Sequence, residues 1–240
     1  MALPTFRLVT VHEAPLADGS ELEETWMVRA ARTGSPEAHV WTAPRGLVVP
    51  RSYERLAAFA AACAAAREAG WRMQVRCSGG GLVPQGPGVL NVSLVWCTAR
   101  GTPGGTDEIY GSLCGALAAA LAHLGIIAST QRAEGSFCDG RFDLVVGGRK
   151  LAGTAQAWRR IEDQRVVLAH AVLIASADPV ALAAIANRFE DFVASGRIYR
   201  AEAVTSVAQA LRDAHPGREA PADLDTVLAA ALARQLADAG

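Results

Sequence analysis

The sequence predicts an α+β fold in one domain, with a mixed or antiparallel sheet flanked by helices, on three observations. Strand-like runs dominate the middle of the chain, and helices interrupt them irregularly instead of alternating with them one for one, which disfavours a doubly wound parallel sheet. The composition is 51% hydrophobic with only 6% aromatic residues and abundant Gly and Ala, which suits helices packed closely on a sheet. The length of 240 residues buries a full core without disulfides or metals. The domain is expected to span 1–240, with its core over about 25–195 and two C-terminal helices within 206–237.

Taken in order, strands are expected near Thr25–Ala31, Ala38–Thr42, Gly46–Val49, Met73–Cys77, Val89–Cys97, Phe142–Val146 and Val166–Ala175. Helices are expected near Ser52–Ala69, Ile109–Leu124, Pro179–Ser195, Ser206–Asp213 and Leu224–Ala237. The helix from Pro179 has a clear start: Asp178 can cap the free N–H groups and Pro179 takes the first helical position. Leu182, Ile185, Phe189 and Phe192 give it a core-facing stripe. Pro/Gly-rich runs at Pro84–Gly88 and Gly101–Gly105 read as loops, and His215–Gly217 precedes the last helix.

With 23 basic and 24 acidic side chains, the net charge of −1 argues against bulk electrostatic capture of nucleic acid or an anionic membrane. Five cysteines, an odd number with no CxxC pair, together with a start lacking a secretory pattern, predict a reducing, cytoplasmic setting. The uncharged run Ile109–Gln131 is long enough to cross a bilayer. It concentrates its large side chains at Leu113, Leu117, Leu121 and Leu124, however, and Ala contributes little to insertion. It therefore reads as a buried helix, and no membrane partner is expected. Neither a GxxxxGK[ST] nor a GxGxxG phosphate loop occurs, and no Cys/His/carboxylate cluster has metal-ligand spacing.

Two constellations carry chemistry. The first is RCSGGG, Arg76 to Gly81, followed by the strand around Asn91 and Ser93. Gly79, Gly80 and Gly81 remove every Cβ from a turn, so that backbone N–H groups can approach a ligand. Arg76 stands at the loop's entrance, where a planar cation holds carboxylate or phosphate. Alternation along the second strand puts Leu90, Leu94 and Trp96 on one face and Asn91, Ser93 and Val95 on the other. By itself the glycine run also fits a simple hairpin connection.

The second constellation runs from Gly135 to Gln156. Gly147–Gly148 is a two-residue hairpin signal that places Lys150 at the start of a strand soon meeting Gly153 and Thr154. Gly153 leaves a gap in which something bulky can approach the backbone, and a lysine there can polarise a carbonyl or neutralise an oxyanion. The plainer reading is a solvated hairpin lysine.

In this order the motifs Arg-x-Ser-Gly-Gly-Gly, Gly-x-Leu-Asn (Gly88 to Asn91) and Gly-Arg-Lys-Leu-Ala-Gly-Thr-Ala-Gln (Gly148 to Gln156) resemble the lipoate–protein ligase and octanoyltransferase family. The strand around His170 and the helix after Asp178 are similar to that family's next elements. The resemblance implies a catalytic domain of the biotin/lipoate ligase type, related to class II synthetases. It further implies attachment of lipoyl or octanoyl groups to one lysine of a lipoyl carrier domain. It assigns Lys150 to the acyl carbonyl, and substrate-binding roles to Arg76, Ser78, Gly79, Gly80, Gly81, Asn91, Gly153 and Thr154. The chain has Val75 where the family usually has a second arginine, and Gln85–Gly86 where it usually has a His-Asp pair.

Within that family, transferases take an acyl thioester from acyl carrier protein, often through a cysteine, and ligases activate the free acid with ATP. Cys138 lies twelve residues before Lys150, near where some transferases carry their nucleophile, and a cationic neighbour favours the thiolate. A regular hairpin would pair Cys138 near Ala157, on the order of 20 Å from Lys150 at about 3.3 Å per residue. Only a loop folding back over Gly135–Arg141 brings the two together. Chain length favours the transferase and the triple glycine favours the ligase. The reading chosen is acyl transfer through Cys138 with Lys150, with lipoate or octanoate as substrate and no bound cofactor. The alternatives are an ATP- and Mg-dependent ligase, a non-catalytic acyl- or carrier-binding module, and a biotin-directed ligase. Cys63, Cys77, Cys97 and Cys114 read as structural, and His170 as packed or hydrogen-bonded.

Overall fold

The computed structural model describes residues 3–98, 105–138, 140–217 and 219–238. Its main sheet has seven strands in the order β1-β2-β6-β10-β9-β8-β7. These are β1 (Val9–Val11), β2 (Glu37–Thr42), β6 (Val89–Thr98), β7 (Ser129–Gln131), β8 (Asp143–Val146), β9 (Arg149–Ile161) and β10 (Gln164–Ile174). Among the described residues only the β1/β2 pair of this sheet is parallel, so the sheet is mixed, as expected for the α+β class. A second, three-stranded sheet, β4-β3-β5, comprises β3 (Gly46–Pro50), β4 (Arg72–Arg76) and β5 (Val83–Gln85).

Helices α3 (Thr106–Ala122) and α6 (Leu224–Asp238) cover one face of the main sheet. Leu113, Leu117 and Leu121 of α3 share a core there with Leu224, Leu228 and Leu232 of α6 and with Leu90, Leu94 and Trp96 of β6. This is the partition that strand alternation predicts. No helix among the described residues is long and apolar enough to cross a membrane. On the opposite face, α1 (Gly19–Thr33) lies against β6 and β10. A further core joins β3 and the glycine turn to α4 (Pro179–Phe192) through Leu47, Val49, Leu82, Leu182 and Phe189.

One expected strand is a helix. The segment Thr25–Ala31 belongs to α1, whose buried residues Gly19, Glu23, Trp26, Met27 and Ala30 recur at helical spacing. Its aromatic and β-branched content imitates a strand, but the period of burial decides the element. The helix expected over Ser52–Ala69 is divided into a 3-10 turn, Arg51–Arg55, and α2, Phe59–Glu68. Asp178 does cap α4, accepting from the Val180 N–H at 3.0 Å with Pro179 beside it. Ser206 caps α5 (Val207–Ala214) in the same way through Gln209 N–H. The loop expected over Gly101–Gly105 lies outside the described residues apart from Gly105.

Candidate active site

The two constellations meet at one cleft. Gly147 and Gly148, at φ 56° and 77°, form the two-residue turn between β8 and β9, with Val146 opposite Arg149. A register shift between Leu144 and Val145 sets Val145 against Lys150 and Leu144 against Ala152. The Lys150 side chain is thereby turned inward and buried. Its Nζ forms an ion pair with Asp143 Oδ1 at 2.8 Å and donates to the carbonyls of Phe137 at 2.5 Å and Cys138 at 3.0 Å. Those three partners match its three N–H donors.

Strand β8 begins only at Asp143, and the chain before it does not continue the hairpin. It doubles back, placing Cys138 beside the glycine turn with a left-handed φ of 48°. The Cys138 sulfur lies over Gly80: a Cβ built on that glycine would stand 2.2 Å from Sγ. A Cβ on Gly81 would be 3.4 Å from Cys138 Cα and 2.9 Å from Arg197 Nη1. The close approach permitted by the glycines is thus made by the Cys138 loop. Gly79 and Gly80 are exposed on the outer side of the turn, and the residues that wall the cleft there are Arg76 and Cys138.

Arg76 is buried and organises the turn from within. It donates to the carbonyls of Val48 at 3.2 Å, Gly79 at 3.0 Å and Gly81 at 2.7 Å, and its Nη2 lies 4.0 Å from Cys138 Sγ. Burial pulls the guanidinium below its ordinary pKa, opposed by Cys138, Glu23, Tyr53 and Tyr199.

Gly153 makes room for Lys150 itself. A Cβ there would lie 2.8 Å from Nζ and 2.9 Å from Cε, so the expected gap is filled by the chain's own lysine. Thr154 donates to Phe142 O at 2.7 Å, fastening β9 to the start of β8. Asn91 exchanges two hydrogen bonds with Gln85, at 2.9 and 3.0 Å, both side chains being buried. A neutral amide pair therefore forms this part of the cleft wall.

Ser78 hydrogen-bonds His170 Nε2 at 3.1 Å, and His170 Nδ1 meets Glu23 Oε1 at 2.9 Å. Glu23 Oε1 also accepts from Ser93 Oγ at 2.7 Å, and Ser93 accepts from Trp41 Nε1 at 3.0 Å. Ser93 thus lies on the Asn91 face, as alternation requires, but its hydroxyl is held within this network. Glu23 and Asp143 were not singled out in the sequence. Glu23 carries a usable signal, since a carboxylate three and four residues before Trp26 and Met27 falls on the buried face of a helix.

The cleft bounded by these groups is open to solvent, and its empty space together with that open solvent is about 840 Å³. Its polar wall is Arg76, Cys138, Lys150, His170, Glu23 and the amide pair; Val48, Val89, Val172, Ile174 and Leu182 supply an apolar wall. A cleft with one apolar and one polar wall has the chemistry to suit an aliphatic chain that ends in a polar group. Among the described residues no three His, Cys, Asp or Glu side chains are grouped to hold a metal ion.

The model of the lipoyl protein ligase A/B catalytic domain matches residues 20–231. The chain belongs to this family. An uncharacterized protein of Cupriavidus necator is 43% identical over 219 residues, covering 86% of this chain and 87% of that protein. The octanoyl-[GcvH]:protein N-octanoyltransferase of Kyrpidia tusciae is 37% identical over 213 residues, covering 85% of this chain and 73% of that enzyme. Among solved structures, a putative lipoate protein ligase from T. acidophilum with bound lipoic acid superposes with a TM-score of 0.67 at 19% identity, covering 98% of this chain and 86% of that one. A lipoate-protein ligase A bound with ATP gives 0.64 at 18% identity, covering 100% and 85%. The fold is that of the lipoate ligases, and the chain is an enzyme of the lipoate–protein ligase family.

Proposed function

We propose that this enzyme moves an octanoyl group, or its lipoyl counterpart, to a lysine of a lipoyl carrier domain through a thioester on Cys138. The observation that carries the reading is the folded-back loop. It sets a cysteine sulfur 4.0 Å from a buried arginine while the same residue's carbonyl is held by Lys150. The Cys138 thiol attacks the donor's acyl carbon; the bond from that carbon to the donor's nitrogen or sulfur breaks, and the donor leaves as amine or thiol with the proton that Cys138 gave up. An acceptor amine then attacks the thioester, and the Cys138 sulfur leaves. Arg76 stands beside the sulfur throughout. Lys150 neutralises the oxyanion of each tetrahedral intermediate by exchanging a loop carbonyl for the acyl oxygen.

The proposed donor is an octanoylated lipoyl carrier domain of the GcvH kind, supported by the octanoyl-[GcvH] transferases among the relatives. Acyl carrier protein, the donor expected from the resemblance, is the rival arm, and free octanoate with ATP and Mg is the third. The test supplies the enzyme with an unmodified lipoyl domain and each donor in turn. Transfer from octanoylated carrier without ATP supports the proposal; modification only with ATP and free acid overturns it in favour of the ligase.

A further inference from the structure

We infer that His170 is the proton acceptor for the entering lysine amine, with Glu23 as its positioning residue. This deepens the transfer reading above and rests on it.

The protonation pattern follows from geometry. Glu23 Oε1, 2.9 Å from Nδ1, already accepts from the Ser93 hydroxyl, and a carboxylate oxygen so placed accepts from an imidazole N–H. Nδ1 therefore carries the hydrogen. Nε2 is left as a bare acceptor, and the Ser78 hydroxyl donates to it. A carboxylate that fixes the tautomer of an imidazole and then stabilises its protonated form is the arrangement general-base histidines use.

Other groups on the cleft wall are poorly placed for this task. Lys150 has its three N–H donors committed to Asp143 and two carbonyls. Arg76 is a cation that does not give up its proton. Gln85 and Asn91 are amides satisfied by one another. Ser78 is almost wholly buried and its hydroxyl is engaged with Nε2, so it holds the imidazole and does not attack substrate. The titratable and charged groups sharing the cleft with His170 are Glu23 from α1, Arg76 after β4, Cys138 and Lys150. The residues opposite it on the neighbouring strands, Ser93 and Ala155, do not titrate.

The acceptor lysine enters the cleft as an ammonium, a stronger, charge-assisted donor than a serine hydroxyl, and replaces Ser78 at Nε2. His170 takes one proton from it, and the neutral amine so formed attacks the Cys138 thioester, forming the C–N bond. The C–S bond breaks, and the leaving thiolate takes the second proton from the nitrogen. The imidazolium, held by Glu23, then gives its proton to solvent.

The test uses the full-length enzyme, loaded with octanoyl at Cys138 and mixed with lipoyl domain across pH 5.5–9. In wild type, transfer rises with pH through one ionisation. In His170→Gln the plateau above that ionisation is lost, transfer climbs steadily with the fraction of free lysine amine, and at neutral pH it falls on the order of 100-fold. Glu23→Gln shifts the ionisation with a smaller loss. Hydroxylamine, already uncharged at neutral pH, discharges the wild-type and His170→Gln thioesters at similar rates, because it needs no base. Unchanged lysine transfer and pH profile in His170→Gln overturn the inference. So does an equal loss towards hydroxylamine, which marks a structural role. If wild type forms no Cys138 adduct, the cysteine route is what fails. The role of His170 is then decided by the pH profile of overall transfer in the same variant.

Discussion

Gly153 lacks a side chain at the point where Lys150 needs the space: a Cβ would stand 2.8 Å from the ammonium nitrogen and 2.9 Å from Cε. The clash is with the far end of a flexible side chain, so Gly153→Ala is accommodated by moving the amine. The amine is then displaced from its present position while the charge pair with Asp143 is kept, and transfer activity is expected to fall more than tenfold while the fold survives. Lys150→Met differs in kind, because it strips the buried Asp143 of its cation and is expected to cost about 3–5 kcal/mol of stability as well as activity. Denaturant unfolding beside a transfer assay separates the two. A Gly153→Ala enzyme with full activity would contradict the placement of the amine.

The Gln85–Asn91 pair predicts a non-additive result. Replacing Gln85 by Leu leaves the buried Asn91 amide without its partner and is expected to cost about 1–3 kcal/mol. Replacing both by Leu removes two polar groups together and costs less than the sum of the single changes. Urea unfolding of the four proteins completes the cycle, and strict additivity would show that the amides do not support one another.

A second histidine cluster governs acid stability. His39 stacks on Trp26 at 3.8 Å and is hydrogen-bonded to His12 and Glu37. Burial lowers its pKa from 6.5 to about 4, against the pull of Glu37. Between those values the unfolded chain binds a proton that the folded chain refuses. Stability is therefore expected to fall as pH drops from about 6.5 to about 4. His39→Gln should flatten that part of the Tm-against-pH curve; an unaltered slope in the variant would place the acid sensitivity elsewhere.

The legibility of this molecule in its sequence follows element by element. Gly147–Gly148 and the Asp178–Pro179 helix start are local devices whose chemistry is complete within a few residues, and both are present as read. The strand face shared by Leu90, Leu94 and Trp96 is equally local, because alternation alone decides it. The helix over Thr25–Ala31 imitates a strand because Thr25, Trp26 and Val28 suit one, while only burial against β6 and β10 reveals the helical period. In the site, Lys150 and Cys138 are visible as a lysine after a hairpin and a cysteine between glycines. What joins them is a non-local event, the loop turning back onto the glycine bend, and a regular hairpin would separate them. The Ser78–His170–Glu23 chain links three distant segments, 92 and 147 residues apart along its two contacts, and no spacing rule brings such residues together.

Cys138 as the covalent carrier of the acyl group is the claim tested most directly by intact-mass analysis of the enzyme after incubation with octanoylated carrier domain in the absence of an acceptor. The account predicts one added octanoyl group, mapped to Cys138, absent from Cys138→Ser and discharged when unmodified lipoyl domain is added. A Cys138→Ser enzyme that still transfers octanoyl at the wild-type rate would contradict it.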